Sequence, residues 1–323
     1  MDRGDGMNGL NGSQGLNGSH GVDGTEARDG AAPWDNGREL GGYLRSRRAR
    51  VAPESAGIGT PGGRRRRVRG LRREELAQLA GISVDYYVRL EQGRATQPSG
   101  EVLDALARAL RLGETEREHL ARLAAGRARR PPARPSGPVR PELRRVLDGM
   151  PGLPAVVVDE RLDVLAWNRL GGELYCCGTA GEGADAGPPN LARFLFLDPR
   201  APERYPDLEL RRGEAVAMLR LALGRYPGDP PLEGLVAGLT AHSEEFRRIW
   251  AAGDVLRCGS GSKRFRHPEA GVLELDYETL HLPPLEGRVA QQVYVFSAPE
   301  GSPAEEALRL LAERTAALDP CGA

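Results

Sequence analysis

The feature that most constrains the fold of this 323-residue sequence is the segment LRREELAQLAGISVDYYVRLEQGRATQPS, from Leu71 to Ser99. Apolar residues recur at helical spacing on both sides of Gly81, which permits a tight turn. The core positions that this spacing predicts are Leu76, Leu79, Ile82, Tyr87 and Leu90. Ala77 is small enough for two helices to cross there, and Ser83 is a good N-cap for the second helix. The segment is therefore predicted to form a helix-turn-helix.

This arrangement leaves Val84, Asp85, Val88 and Arg89 on the front of the second helix, the side that a helix-turn-helix presents to a major groove. A helical hairpin with solvated side chains is the alternative interpretation. The charge of the surrounding residues favours the DNA-binding interpretation over the hairpin. Residues 38–73 contain twelve Arg against two Glu, a local excess of ten positive charges in a chain of net charge zero. Such a block needs a polyanion or water around it.

Composition divides the chain into four parts. Residues 1–37 are predicted to be a disordered Gly/Asn/Ser-rich tail, because the repeats GLNGSQ, GLNGSH and GVDGTE contain too few apolar side chains to order them. Residues 38–125 form the helical domain, with an Arg-rich insertion at 52–72. A Pro/Arg-rich linker covers 126–138, and a second domain covers 139–315.

The second domain is predicted to be α+β. Apolar runs typical of strands are PAVVVD, DVLAWN, GVLELDYETL and AQQVYVFS, with helices predicted at 209–223 and 243–255 between them. Residues 293–296 are apolar on both faces of their strand, which predicts a central position in the sheet.

Several classes of protein are not indicated by the sequence. No apolar run reaches 18 residues and no secretory signal is present, so we expect a cytoplasmic protein that does not contact a membrane. The four cysteines lack C-x-x-C spacing and are expected to be free thiols. His242 and His267 accompany no nucleophile or metal motif, so we expect no catalytic residues, no metal and no cofactor. Glu91 is interpreted as a structural partner of backbone or an Arg.

Residues 38–124 resemble the five-helix domain of the phage-repressor and xenobiotic-response-element class of bacterial regulators, and more closely the MmyB-type subgroup. The resemblance rests on LGGYLRSRRAR, RRRRVRGLRREELAQLAGISVDYYVRLEQGR and PSGEVLDALARALRL, and it continues through AWNR, FLDP, SEEFRRIW, DV and HPEAG. It implies an all-α repressor-like domain followed by a PAS-like domain that binds a fatty-acid-like ligand. The implied partners are a double-stranded DNA operator and a small apolar molecule.

The resemblance also assigns residues on the DNA side. The base-reading positions correspond to Val84, Asp85 and Arg89, and Arg73 occupies the place of a phosphate-binding residue. The remaining residues that we expect to contact the DNA backbone or groove, from the resemblance and from the charge of the insertion, are Arg64, Arg65, Arg66, Arg67, Arg69, Arg72, Gln92, Arg94 and Ser99.

A ligand cavity is expected where the apolar face of the sheet meets the two predicted helices. Its predicted lining consists of Trp167, Asn168, Phe194, Tyr205, Trp250, His267, Tyr294 and Phe296. Regulators of this kind commonly act as two-fold dimers, so a homodimer is expected. Three functions stay open at this point: a ligand-sensing transcription regulator, an enzyme fused to a DNA-binding module, and a protein-interaction adaptor or dimerisation module.

Overall fold

The computed structural model describes residues 36–58, 69–95, 97–125, 136–175, 188–257, 259–283 and 288–317. The predictions for the Gly-rich tail up to residue 35, for the run Arg64–Arg67 and for all of the cysteines lie outside these residues. So do residues 59–68 of the predicted insertion and residues 126–135 of the predicted linker.

The first domain is a bundle of α-helices, as predicted. Within the described residues its helices are α1 (Asn36–Arg50), α2 (Arg73–Ala80), α3 (Val84–Glu91), α4 (Gly100–Ala109) and α5 (Glu114–Ala125). A 3₁₀ turn at Glu54–Ala56 follows α1. The buried side chains of Tyr43, Leu71 and Tyr87 join α1, the entry to α2, and α3 in one apolar core.

Helices α2 and α3 form the predicted helix-turn-helix. Gly81 ends α2 in the left-handed region at φ 66°, a conformation that glycine adopts without steric cost. The Ser83 hydroxyl accepts a hydrogen bond of 3.2 Å from the backbone N–H of Tyr86 and so caps α3. These local contacts set the angle at which α3 leaves the turn.

The predicted core of this motif is correct except at one position. Leu76, Tyr87 and Leu90 are fully buried, and Ile82 packs half-buried at the edge of the core. The prediction for Leu79 is wrong, because its side chain is 40% exposed. The buried stripe of α2 runs through Leu76, Ala77 and Ala80, which turns Leu79 to the solvent side.

The second domain combines helices with one antiparallel sheet of five strands in the order β2-β1-β5-β4-β3. Its elements are α6 (Pro141–Asp148), β1 (Ala155–Asp159), β2 (Val164–Trp167), α7 (Arg169–Tyr175), α8 (Leu191–Leu197), α9 (Ala201–Arg204), α10 (Leu208–Arg225), α11 (Pro230–His242), α12 (Glu244–Ala251), β3 (Ser260–His267), β4 (Gly271–His281), β5 (Gln291–Ser297) and α13 (Pro303–Ala317). The predicted central position of β5 is confirmed, since it lies between β1 and β4.

The two faces of the sheet bury different side chains. Val156, Tyr294 and Phe296 belong to the large core shared with the helices, whereas Val157 and Val293 pack against Leu147 of α6 on the other side. The sheet is therefore the middle layer of the domain.

Two details differ from the sequence-based expectation. Strand β3, SGSKRFRH, is not predicted from its composition, although Lys263, Phe265 and His267 alternate regularly toward the buried face. Helix α12 ends at Ala251 rather than near 255, because Gly253 takes a left-handed φ of 75° and starts an extended segment. No helix in the described ranges has the length and apolar character needed to cross a membrane.

Gly41 and Gly42 are neighbours in α1 with different surroundings, which allows a matched test of the packing. A Cβ at position 41 would lie 2.2 Å from the Glu91 carbonyl oxygen, whereas one at position 42 meets nothing within 4 Å. We expect Gly41→Ala to lower the free energy of unfolding by about 1–3 kcal/mol through overpacking. Gly42→Ala should raise it by about 0.4–1 kcal/mol, because alanine restricts the unfolded chain. Urea unfolding measures both values, and equal effects would contradict this close approach of α1 and α3.

Candidate nucleic-acid interface and ligand cavity

The front of α3 presents the side chains that the sequence singled out. Val84, Asp85 and Arg89 are exposed, and the Arg89 guanidinium carbon lies 5.8 Å from the ring centroid of Tyr86. Among the described residues, none accepts a hydrogen bond from the Arg89 guanidinium. Its N–H donors therefore face solvent while the tyrosine ring restricts the side chain.

The other described residues that we predict to contact DNA lie around the front of α3, and they differ in their hydrogen bonding within the protein. Arg69, Arg72, Gln92 and Arg94 are exposed beside α2 and after α3. The Ser99 hydroxyl accepts a hydrogen bond of 3.3 Å from the backbone N–H of Val102 and caps α4. The contacts of these residues with DNA stay predictions.

Glu91 is the electrostatic centre below this surface, as the structural interpretation of this residue expected. Its fully buried carboxylate accepts hydrogen bonds of 2.7 Å from Arg48 Nε and Tyr87 Oη on Oε1, and from Arg73 Nε on Oε2. Arg48 also donates to the Leu71 carbonyl at 2.7 Å. Burial alone would raise the pKa of Glu91, but the hydrogen bonds from Arg48, Tyr87 and Arg73 outweigh it and lower that pKa.

Four of the predicted ligand residues lie in the core of the second domain. Phe194, Tyr205, Tyr294 and Phe296 are buried in one apolar cluster. The ring centroids of Phe194 and Tyr205 are 6.1 Å apart, and Phe265 lies 5.7 Å from Tyr205 and 5.5 Å from Phe296. Phe265 was not among the predicted residues, and it joins them by ring-to-ring contact.

The other four predicted ligand residues lie around this cluster, and the half-buried Trp167 and Trp250 pack against it. Trp167 is half-buried on β2, and Trp250 on α12 stacks on Phe246 at 5.4 Å. Asn168 accepts from the Ala155 N–H at 3.0 Å and donates to two backbone carbonyls at 2.9 and 2.7 Å. The Nε2 atom of His267 lies 3.2 Å from a Glu173 carboxylate oxygen.

A groove of about 890 Å³ lies between α8 and α11, and we call it the α8–α11 groove. Its lining comprises Arg161, Asp163, Pro188, Pro189, Asn190, Leu191, Arg193, Phe194, Leu197, Asp198, Pro199, Pro231, Gly234 and Leu235. Phe194 is the one predicted ligand residue in this set. A smaller cavity of about 250 Å³ near α6, α7 and α13 includes Asn168.

The polar groups of the α8–α11 groove are mostly paired. Arg161 Nε and Nη2 donate to the two oxygens of Asp229 at 2.7 Å, which fixes the start of α11. Asn190 donates to the Asp163 carboxylate at 2.8 Å, and burial raises the pKa of Asp163. The exposed guanidinium of Arg193 has no acceptor among the described residues, so a cation stands at the rim of a groove whose walls combine apolar side chains with polar groups. In the described part of the chain, His, Cys, Asp and Glu side chains form no group that could hold a metal ion.

The lowered pKa of Glu91 predicts a pH-dependent stability. Its ionised form stabilises the fold above the pH at which the unfolded chain titrates, and this contribution disappears as the pH falls through the lowered pKa. At about pH 7, Glu91→Gln should lower the free energy of unfolding by about 1.5–3 kcal/mol. The difference in the free energy of unfolding between the variant and the wild type, here called the gap, should narrow in acid, because protonated Glu91 also lacks the charge.

Urea unfolding at a series of pH values measures this gap. Glu101→Gln on α4, which removes an exposed carboxylate, is the matched control. A gap for Glu91→Gln that stays constant into strongly acidic solution would contradict the ion-pair assignment.

Comparison with known families agrees with this geometry. The model of the MmyB-like transcription regulator ligand-binding domain matches residues 139–311, which is more than half of the chain. A helix-turn-helix domain model matches residues 39–120 and so covers α2 and α3. A search of curated proteins found no match. With an exposed recognition helix in one domain and a ligand-binding domain behind it, the chain belongs to the MmyB-like transcription regulators, which bind DNA and sense a ligand.

Proposed function

We propose that this regulator senses a small, mostly apolar, fatty-acid-like molecule in the α8–α11 groove. The observation that carries the proposal is the groove itself: about 890 Å³ of space lined by leucine, phenylalanine and proline side chains, with charged and amide groups among them. Ligand pockets in proteins have volumes of about 300–1,000 Å³ and are mainly apolar with few polar groups. The Arg193 guanidinium at the rim suits a carboxylate head group.

The ring-to-ring contacts of the sheet core favour the groove over the site first expected from the sequence. Phe194 belongs to both regions, because one side of its ring contacts Tyr205 and the residue also lines the groove. A ligand in the groove would therefore contact the aromatic core without displacing it. In this proposal the second domain binds the ligand and does not transform it.

On the DNA side, we propose that α3 reads an operator in the major groove. Arg89 is the best placed side chain for a bidentate contact to guanine, with Val84 and Asp85 beside it at the start of the helix. Arg73 binds Glu91 through Nε and is still 44% exposed, so its remaining donors suit a phosphate. The protein would act on DNA in the bacterial cytoplasm.

Two substitutions separate base reading from phosphate binding. Arg89→Ala should relax the preference at one base pair and cost about 1–3 kcal/mol of discrimination there. Arg73→Ala should weaken all sequences alike and reduce the slope of log affinity against log salt by about 1. Titration of matched and single-base-changed operators, found first by genome-wide footprinting, measures both effects. If both variants lost affinity equally for all operator sequences, the assignment of Arg89 to base reading and Arg73 to phosphate binding would be refuted.

A homodimer on a roughly palindromic operator completes the proposal, since helix-turn-helix dimers bind half-sites about 34–36 Å apart. Light scattering of the complexes formed in these titrations gives the number of chains per operator. One chain on an intact operator would remove the dimer from the proposal.

The groove is tested by filling it. A Cβ on Gly234 or on Gly238, both in α11, would meet nothing within 4 Å, but only Gly234 belongs to the groove lining. We expect Gly234→Phe to weaken binding of decanoate by at least about tenfold, because its ring occupies the space of the alkyl chain, worth roughly 0.8 kcal/mol per buried CH₂. Gly238→Phe should bind decanoate like the wild type.

Calorimetric titration of the full chain with decanoate measures both variants. In a second comparison, Arg193→Gln should weaken decanoate by up to about fivefold and leave decanol unchanged, because exposed ion pairs contribute at most about 1 kcal/mol. Equal decanoate binding by Gly234→Phe and Gly238→Phe would exclude the groove as the site.

A further inference from the structure

The surface between the two domains joins them by charged contacts that the proposed ligand and DNA sites do not use. Helix α10 packs against the groove helices α8 and α11, and also against α5 of the DNA-binding domain. Gly224 on α10 lies directly against the imidazole of His119 on α5, because a Cβ there would be 2.7 Å from its Nδ1 atom. The same helix therefore contacts both the groove helices and the first domain.

Arg220 lies within α10 and joins three elements. Its buried guanidinium donates to Glu39 of α1 at 3.2 Å and to the Trp250 carbonyl at the end of α12. The same group lies 4.1 Å from the centroid of the Trp250 ring. Because these contacts use one face and the edge of the guanidinium, a shift of α10 would disturb its contacts with both α1 and α12.

The segment after α12 docks onto α1. The Asp254 carboxylate binds Arg47 at 3.3 Å and Arg50 at 2.8 Å, and the carbonyls of Ala252 and Gly253 accept from the same two arginines. The hydrogen bonds from Arg50 and the charge of Arg47 lower the pKa of Asp254 although partial burial opposes this. The segment thus presents both a charge and backbone acceptors to the end of α1.

The opposite side of α1 contacts the recognition helix. Arg45 donates to the Glu91 carbonyl at 3.3 Å, Arg48 binds the Glu91 carboxylate, and Gly41 lies against the same carbonyl. Residues 45 and 48 share one side of a helix, and residues 47 and 50 share another. Helix α1 is therefore held from the second domain on one side and holds the end of α3 on the other.

We propose that Arg220 and Asp254 are positioning residues for the recognition helix, and that they pass the state of the second domain to α3 through α1. The inference rests on the proposed function, since it concerns the regulation of the same DNA-binding surface. Regulation requires that the ligand stabilise one arrangement of this contact more than the other.

Hydrogen exchange of the full-length chain tests this without a ligand. Asp254→Asn keeps the shape of the side chain and removes its charge. We expect exchange of the α1 and α3 amides to accelerate by about threefold or more, while exchange in strands β1 and β5 stays unchanged. Glu306→Gln removes a carboxylate from an exposed ion pair with Arg309 on α13 and should leave α3 exchange unchanged.

A structural role alone predicts a different pattern. If Asp254 only stabilised the fold, its substitution would accelerate exchange throughout the second domain as well, and this result would overturn the proposal. Unchanged exchange in α3 would also overturn it. Combining Asp254→Asn with Arg50→Gln should accelerate α3 exchange little more than either single change, because both remove the same contact. Fully additive effects of the two changes would contradict a contact between these residues.

Decanoate provides the second arm of the experiment. Decanoate should change the hydrogen-exchange rate of the α3 amides in the wild type. The change should be clearly smaller in Asp254→Asn. Binding of decanoate without any change in α3 would refute the coupling and leave the ligand class intact. Failure of decanoate to bind would count against the ligand class alone, and the ligand-free comparison would still decide the coupling.

Discussion

The buried carboxylate of Glu91 holds the DNA-binding surface together. Taking a carboxylate out of water is costly unless charged and polar donors replace the lost hydration. Arg48, Tyr87 and Arg73 supply those donors from α1, α3 and α2, so each of the three helices is tied to one charged group. The exposed front of α3 keeps a defined angle because its last residue is fixed from behind, while Ser83 fixes its first turn.

Local signals explain why this half of the fold could be predicted from the sequence. The Ser83 cap and the left-handed Gly81 act within a few residues, so a short segment contains nearly all the information they need. Leu79 shows the limit of that reasoning. Its spacing suits a buried position, but the choice between neighbouring stripes of α2 depends on the packing of other helices against it.

The structure of the second domain depends on contacts between segments that lie far apart in the sequence, and local sequence patterns do not reveal these contacts. Strand β3 places Lys263, the only lysine of the chain, on its buried side, with the ammonium 4.5 and 4.6 Å from the ring centroids of Tyr277 and Tyr294. His267 is buried on the same strand beside Glu173. Polar residues at buried positions hide the alternation that identifies a strand, because their partners come from distant segments. For the same reason Trp250, an aromatic residue that suits a pocket, stacks instead under Arg220 at a domain contact.

The arginine-rich region shows that a count of charges in the sequence does not reveal which partners those charges bind in the fold. The excess of positive charge between residues 38 and 73 predicts a polyanion partner, and the family assignment agrees with DNA. Yet Arg47 and Arg50 face Asp254 of the second domain, and Arg48 faces Glu91. These guanidinium groups are paired with protein carboxylates on two sides of α1, so the arginine count of the sequence exceeds the positive charge that is available to phosphates. Helix α1 thus lies at the boundary of the first domain, because one of its sides binds Glu91 of that domain and the other binds Asp254 of the second domain.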